Sequence, residues 1–568
     1  MGMTFYAILS TGAARGVIGA GVLAACALLL FLCQGLLGGG IFAPSWAESW
    51  QAAQRFLGGP TIMKGLLLSL WTGAGSSLLA LWVAKQIVMS SQVSSGWIAR
   101  LISPVLAVPH VAFAIGFSLL LWPGGWVARL LSPWLTGWSR VPDWVVIGDP
   151  LGLSLMIGLA LREVPFLVVA ALAAGRGLAL QQTLAVGQSL GLSASESWHR
   201  LLWPQLWPRL RLPLVLVLAY GLTNVDMALV LGPTTPPTLA VQILNLFGDP
   251  DPIGFYQVPW SALFLTAIAG LAIGGILLLL KGQADWSRRA SLDGPWGRWH
   301  GYWLATSRLL GVLVGWLILL LMLFGFAATL LFAFSRRWRF PDALPEFSLA
   351  TFQGLADGLL TALSGTLFIA FVATLVGIAT LVLVLEFLAN RGLRDWPTPW
   401  KAGLYLPLIL PQILVVLAFY SGALTLGWGP GILLILVGHT VFVFCFSGLL
   451  LGASWLRFDP GFHQQAQSLG LNPWSVLWSI KLPMLIGPFL FTIAMAMTVS
   501  FALYLPTVVL GGGRFDTLLT EGVHFASNVR RPQMALYALM QMVVSLLLLG
   551  LCLALPRWLY RDRKGMQF

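Results

Sequence analysis

The sequence predicts an all-α polytopic membrane protein with about twelve transmembrane helices in two six-helix halves. Four observations carry this reading. Of the 568 residues, 58% are hydrophobic and only 9% charged, with a mean hydropathy of +0.87, against about 25% charge in a soluble domain. The apolar residues come in runs of about 18 or more, enough to cross a hydrocarbon core of about 30 Å. Alternation with period two is absent, so the runs read as helices and not as barrel strands. Finally, the stretch Gln188-Ser189-Leu190-Gly191-Leu192, followed by Pro204, recurs as Gln467-Ser468-Leu469-Gly470-Leu471, followed by Pro483. In both copies the proline falls thirteen residues after the glycine, and the copies lie 279 residues apart. The register continues: Leu231-Gly232 matches Leu510-Gly511, and Thr238-Leu239 matches Thr517-Leu518. A period of half the chain indicates a duplicated domain, with residues 1–290 as the first half and 291–568 as the second.

The elements follow in order. The apolar run from Val17 to Leu37 exceeds the core of a signal peptide, about 7–15 residues, and is read as a permanent first span. Further spans are expected over 63–88, 100–122, 150–175, 208–231 and 258–281. The segment 282–303, with Arg288, Arg289, Asp293 and Arg298, is read as the linker between halves. The second half repeats the count near 304–334, 357–388, 401–424, 429–453, 484–510 and 533–556. Pro104 and Pro109 in the third span have counterparts in Pro407 and Pro411 of the ninth. Cys26, Cys33, Cys445 and Cys552 all fall in apolar runs without metal-ligand spacing and read as small packing residues.

Orientation rests on Lys and Arg. With a cytoplasmic N-terminus, 21 of the 32 basic residues fall on the cytoplasmic side, from Arg15 to the tail Arg557, Arg561, Arg563 and Lys564. Arg336, Arg337 and Arg339 are the main dissent, since they lie outside. An even span count then places both termini and both copies of the repeated stretch in the cytoplasm. The net charge of +13 follows this topology and does not imply nucleic-acid binding.

The repeated stretches sit in the loops 176–207 and 454–486. Each offers a short amphipathic segment, a glycine suited to a sharp turn, and a proline at the start of the next span. A helix resting on lipid headgroups is the plainer reading, but it leaves the repeated Gln-Ser and the glycine–proline spacing without a reason. No G-x-x-x-x-G-K-[ST] loop, H-E-x-x-H or G-x-S-x-G is present, so the sequence offers no nucleotide cradle or catalytic constellation.

A charge at a helix centre costs about 2.5–3.5 kcal/mol on insertion scales, so polar residues within spans face the bundle interior. Arg162, Glu163, Asn224, Asp226, His439 and Tyr504 are therefore candidates to line a translocation path. The structural alternatives are an internal ion pair for Arg162 and Glu163, and a satisfied core histidine for His439. Glu386, near the end of the eighth span, reads as solvated.

The loop pattern resembles the EAA loop of ABC-type importer permeases: Glu-Ala-Ala, three residues, Gly, and a proline about thirteen further on. The matching runs are Ala185-Val186-Gly187-Gln188-Ser189-Leu190 and Gln464-Gln465-Ala466-Gln467-Ser468-Leu469. The family glutamate is replaced by Ala185 and Gln464, and only Ala466 keeps a family alanine. Two halves fused in one chain look like the ferric-iron and thiamine importer permeases and their thiamine-permease-like branch. The segment Thr223–Gly232 is similar to the one that ends the family's fifth span. The resemblance implies a type I importer permease fold in the bacterial inner membrane and no hydrolysis by this chain. ATP and Mg would be bound by two copies of a separate ATPase subunit, one docked at each loop. A solute-binding protein would deliver a small solute from the outer side. The alternative from another class is an ion-coupled secondary transporter with two six-helix halves, which gives no reason for the doubled loop.

Overall fold

A computed structural model describes residues 11–12, 14–17, 21, 27–34, 37, 42–91, 103–175, 178–290 and 298–560. Ten residues of the expected span over 17–37, part of the linker, Arg176 and the tail from 561 lie outside these residues. The described chain is almost wholly helical, as an apolar solvent requires, because only internal hydrogen bonds satisfy the backbone there.

In the first half, α1 (Trp46–Gly58) is amphipathic: Ala52, Ala53 and Phe56 are buried, Trp46, Trp50 and Leu57 exposed. It is followed by α2 (Pro60–Ser91), α3 (His110–Leu121), α4 (Trp126–Leu131) and α5 (Leu153–Gly175). The short helices α6 (Leu180–Ser189) and α7 (Ala194–Ser197) form the first repeated loop. Then come α8 (Trp203–Thr223), α9 (Asp226–Leu231), α10 (Leu239–Phe247), α11 (Pro252–Tyr256) and α12 (Val258–Ala290).

The second half opens with α13 (Arg298–Ala333), a small hairpin of β1 (Ser335–Arg337) and β2 (Glu346–Phe347), and α14 (Ala350–Asn390). After these, α15 (Thr398–Ile409) and α16 (Gln412–Thr425) meet at 102°, where Pro411 interrupts the helical ladder. The chain continues through α17 (Ile432–Leu456), the second repeated loop of α18 (Pro460–Ser468) and α19 (Pro473–Val476), and α20 (Leu482–Met484). It ends in α21 (Ile486–Phe501), α22 (Tyr504–Gly511), α23 (Leu518–Ser527) and α24 (Arg531–Leu559).

Among the described residues eight helices are long and apolar enough to cross a membrane, or up to ten if each of two bent pairs counts as one span. The expected fifth span is broken: α8 ends at Asn224, whose Oδ1 accepts from the Ala228 amide at 3.0 Å and so starts α9. The linker is shorter than 282–303. Helix α12 runs on to Ala290 because Ala284 and Ser287 are buried, with Ser287 Oγ donating to the His199 carbonyl at 2.9 Å.

The same contacts recur in both halves. The Leu239 amide donates to Ser69 Oγ and the Leu518 amide to Thr366 Oγ1, each at 2.9 Å. Gly158 and Gly438 admit Leu231 and Leu510, and a Cβ on either glycine would lie 2.5 Å from that leucine.

The two halves also interlock. Helix α13 packs on α2 and α3, and its Gly311-x-x-x-Gly315 pair lets Gln86 and Ile87 approach the backbone. Gln86 Nε2 donates to Ser307 Oγ at 2.9 Å across this seam. Reciprocally, Gln34 accepts from Ser421 Oγ of α16 at 2.9 Å. At one end of the bundle Arg129 donates to the carbonyls of Gly124, Trp338 and Arg339, tying the β-hairpin to the first half. Helices α12, α13 and α14 expose large apolar side chains, among them Leu278, Leu279, Leu323, Phe368 and Leu375, as lipid-facing helices do.

Candidate functional site

The two repeated loops adopt one backbone design. Helix α6 ends at Leu190, and Gly191 takes a positive φ of 79°. The Leu192 amide donates back to the Gly187 carbonyl at 3.0 Å, closing a six-residue C-cap. Ser193 then caps α7 through a reciprocal box: Ser193 Oγ accepts from the Glu196 amide at 3.2 Å, and Glu196 accepts from the Ser193 amide at 2.9 Å. In the second loop Gly470 has φ 85°, the Leu471 amide reaches the Ala466 carbonyl at 3.1 Å, and Asn472 caps α19 by accepting from the Ser475 amide at 2.9 Å. Only glycine enters this left-handed region without steric cost.

The small residue four before the glycine has a second purpose. Gly187 and Ala466 are buried where the two arms of each hairpin meet. A Cβ on Gly187 would fall 2.2 Å from Ser197 Oγ. Gln188, Ser189 and Leu190 stay exposed, and so do Ser468 and Leu469, while Gln467 is half-buried against His463. Leu190 is 66% and Leu469 83% exposed, so each loop carries a leucine knob at its tip. Leu192 is buried, whereas Leu471 is exposed.

Both loops leave through a π-turn, Trp198–Leu202 and Leu477–Lys481, just before Pro204 and Pro483. Proline cannot donate and its ring crowds the carbonyl four residues back; widening the preceding turn by one residue accommodates it. The Trp203 amide accordingly reaches Trp198 O, and the Leu482 amide reaches Leu477 O.

The loops are fastened to the bundle differently. In the first, the half-buried Lys85 of α2 places its ammonium 4.5 Å from the Trp203 ring and 5.8 Å from Trp198, in a pocket walled by Leu81, Ala84, Leu167 and Leu206. In the second, Lys481 of the π-turn pairs with Glu386 of α14 at 2.5 Å, and Trp455 Nε1 donates to the same carboxylate oxygen at 2.6 Å. Glu386 is therefore not solvated as its position near a helix end suggests: it is buried, and the Lys481 charge compensates it there. His199 in the first π-turn donates from Nδ1 to the Ser195 carbonyl at 2.9 Å. Burial, reinforced by the Lys85 charge and opposed by that hydrogen bond, pushes the imidazole down to about 4.

The second group of candidates lies inside the bundle. Glu163 of α5 faces His110, which starts α3, at 3.4 Å. The His110 ring lies 4.7 Å from the Tyr220 ring, and Tyr220 donates to Asp226 at 3.3 Å. Asn224 Nδ2 donates to the same Asp226 oxygen at 2.5 Å. Arg162 is buried and turns away from its neighbour, donating to the Leu106 and Val108 carbonyls at 3.2 and 3.0 Å. Tyr504, from the second half, is half-buried at the start of α22.

The fold thus links Glu163, Asn224 and Asp226 through His110 and Tyr220, two residues that sequence reasoning missed. A histidine and a tyrosine within apolar runs were the available signal. His439 has different partners: Thr507 donates to the Leu503 carbonyl, so His439 Nε2–H donates to Thr507 at 3.0 Å, and Nδ1 accepts from Ser500 at 2.8 Å.

Fold and loops together define a polytopic helical membrane protein with a duplicated, glycine-hinged loop. Comparison with known proteins agrees in class. The chain is 29% identical over 527 residues to the inner membrane ABC transporter permease protein YnjC of Escherichia coli (strain K12), covering 91% of this chain and 92% of the relative. It is also 29% identical over 141 residues to the probable ABC transporter permease protein y4fN of Sinorhizobium fredii (strain NBRC 101917 / NGR234), covering 25% of this chain and 24% of that protein. No family model matches the chain.

Proposed function

We propose that this chain is the membrane-spanning permease subunit of an ATP-driven ABC importer of the bacterial inner membrane. The observation that carries the reading is the loop that occurs twice with one backbone design, each copy ending in an exposed leucine and a left-handed glycine. Such a tip is built to be gripped from outside the bundle. Similarity to a permease protein along most of the chain supports the same reading. Two separate ATPase subunits, which bind ATP and Mg, dock at Leu190-Gly191 and Leu469-Gly470 from the cytoplasm, and a solute-binding protein supplies cargo at the opposite face.

The mechanism follows from the seam. Closure of the ATPase pair on nucleotide draws the loops together. Because α13 packs on α2 and α3 and Ser421 of α16 binds Gln34, the halves rock as interlocked bodies about a pseudo-two-fold axis. Nucleotide must favour one state over the other, since a ligand shifts an equilibrium only by its differential affinity. The path for a small solute, of the kind moved by ferric-iron or thiamine permeases, passes Tyr504 and the network of Glu163, Asn224 and Asp226.

The test is purification from native membranes with mass spectrometry of the bound subunits, for wild type and for Gly191→Arg with Gly470→Arg. An ATPase subunit is expected with wild type and lost from the variant. A wild-type chain that purifies alone and moves solute on an ion gradient overturns the proposal in favour of a secondary transporter.

A further inference from the structure

We infer that the grooves receiving the two loops are apolar and electrically neutral, so that this permease selects an ATPase by leucine burial and not by an interfacial ion pair. The inference rests on the ATPase-docking reading above. Its ground is where the loops keep their charges.

Residues 180–195 and 460–480 contain no Asp, Glu, Lys or Arg. Three of the charges that flank these stretches, Glu196, Arg200 and Lys481, are buried. Glu196 is buried and occupied by its capping box with Ser193. Arg200, within the first π-turn, is buried. Lys481 is buried against Glu386. On the second arm the nearest exposed charges, Arg457 and Asp459, lie at the opposite end from Leu469, and Asp459 caps the Gly461 amide. What faces outward is Val186 and Leu190 on one loop, and Phe462, Leu469 and Trp478 on the other, among glutamines and serines.

The residues aligned with the EAA glutamate point the same way. Ala185 and Gln464 are both exposed. A glutamate there would meet the partner without supporting the hairpin, because the arms are held together two residues on, at the buried Gly187 and Ala466. Both copies have a neutral residue at this exposed position, so the charge is missing from the docking face as a whole.

A neutral apolar contact and an ion-paired one respond oppositely to salt. Ion pairs at a surface are screened within about 10 Å at 0.1 M salt, whereas burial of apolar groups is not weakened by salt. The experiment takes the ATPase subunit identified with the wild-type chain and measures its affinity for the purified permease. Sodium chloride is varied from about 0.05 M to about 1 M, a range that collapses the screening length to about 3 Å. Affinity is expected to change less than about threefold, and Leu190→Ser with Leu469→Ser to weaken it about 100-fold, roughly tenfold for each leucine withdrawn from an apolar site. Ala185→Glu with Gln464→Glu is expected to weaken it about tenfold, because a neutral groove leaves the new carboxylates unpaired. All four positions are exposed, so the melting temperature of the permease alone serves as the control for folding.

An affinity that falls more than tenfold with salt, or glutamate variants that bind more tightly than wild type, would overturn the inference and leave the permease reading intact. Failure to bind the ATPase at any salt overturns both.

Discussion

The two repeated loops share a backbone and differ in what holds them to the membrane domain. Both end a helix with a left-handed glycine, cap the next with a small polar residue, and leave through a π-turn before proline. Yet the first is fastened by a lysine from the bundle resting on loop tryptophans, and the second by a lysine from the loop buried against a carboxylate of the bundle. The repeated loops therefore share the features that local sterics dictate and differ in their anchoring chemistry. The difference predicts unequal robustness: the ion-paired loop depends on both partners being present, while the cation–π loop holds by apolar contact that survives loss of the charge.

The largest effect expected from this contrast is at Glu386. Glu386→Gln leaves the buried Lys481 ammonium without its counter-charge, a loss of about 3–5 kcal/mol for one partner removed from a buried pair. Replacing both, Glu386→Leu with Lys481→Met, is expected to restore most of that stability. Lys85→Met on the other loop removes a cation–π contact worth about 1 kcal/mol and keeps the apolar stem. Thermal unfolding of the purified chain, with limited proteolysis to report on each loop, reads all three. Equal damage from Lys85→Met and Glu386→Gln would break the comparison.

The next effect tests the part the loops share. Gly187→Ala places a Cβ 2.2 Å from Ser197 Oγ and 2.7 Å from Ser197 Cβ, so the arms of the first hairpin must separate. Such overpacking costs about 1–3 kcal/mol. The second loop already carries alanine at this point, Ala466, so the same residue is tolerated there. Ser197→Gly should relieve much of the damage, and a double-mutant cycle on thermal unfolding measures the coupling. If Gly187→Ala is neutral by itself, the arms are not held at this contact.

What could be read from the sequence divides along the same line. Signals carried by a few consecutive residues were legible: apolar runs, Gly191 and Gly470 as turn points, and the recurrence of Gln-Ser-Leu-Gly-Leu. Pairings across long separations were not. Nothing near Glu386 in sequence announces Lys481, 95 residues on, and a carboxylate near a helix end reads as solvated until the fold buries it. His110 and Tyr220 were passed over for a related reason, because each is a single polar residue in an apolar run and acquires meaning only beside Glu163 and Asp226. The π-turns were hidden because proline announces that a helix ladder is interrupted, without saying how the turn before it adjusts.

The smallest effect sharpens the comparison by pH. His199 in the first π-turn corresponds, 279 residues on, to Trp478, so only the first loop holds a titrating ring at this point. With the folded imidazole held near 4 by burial and by the Lys85 charge, against an ordinary value of 6.5, the unfolded loop binds more protons between these limits. Stability of the first loop is then full above pH 6.5 and declines as pH falls through the window from 6.5 to about 4. The loss at pH 6 is under about 1 kcal/mol and grows by at most about 1.4 kcal/mol for each further unit. Proteolysis at the first loop should therefore rise on mild acidification while the second stays protected, and His199→Trp, which copies the second loop, should remove the difference. Equal acid sensitivity of both loops, or persistence of the effect in His199→Trp, would place the titrating group elsewhere.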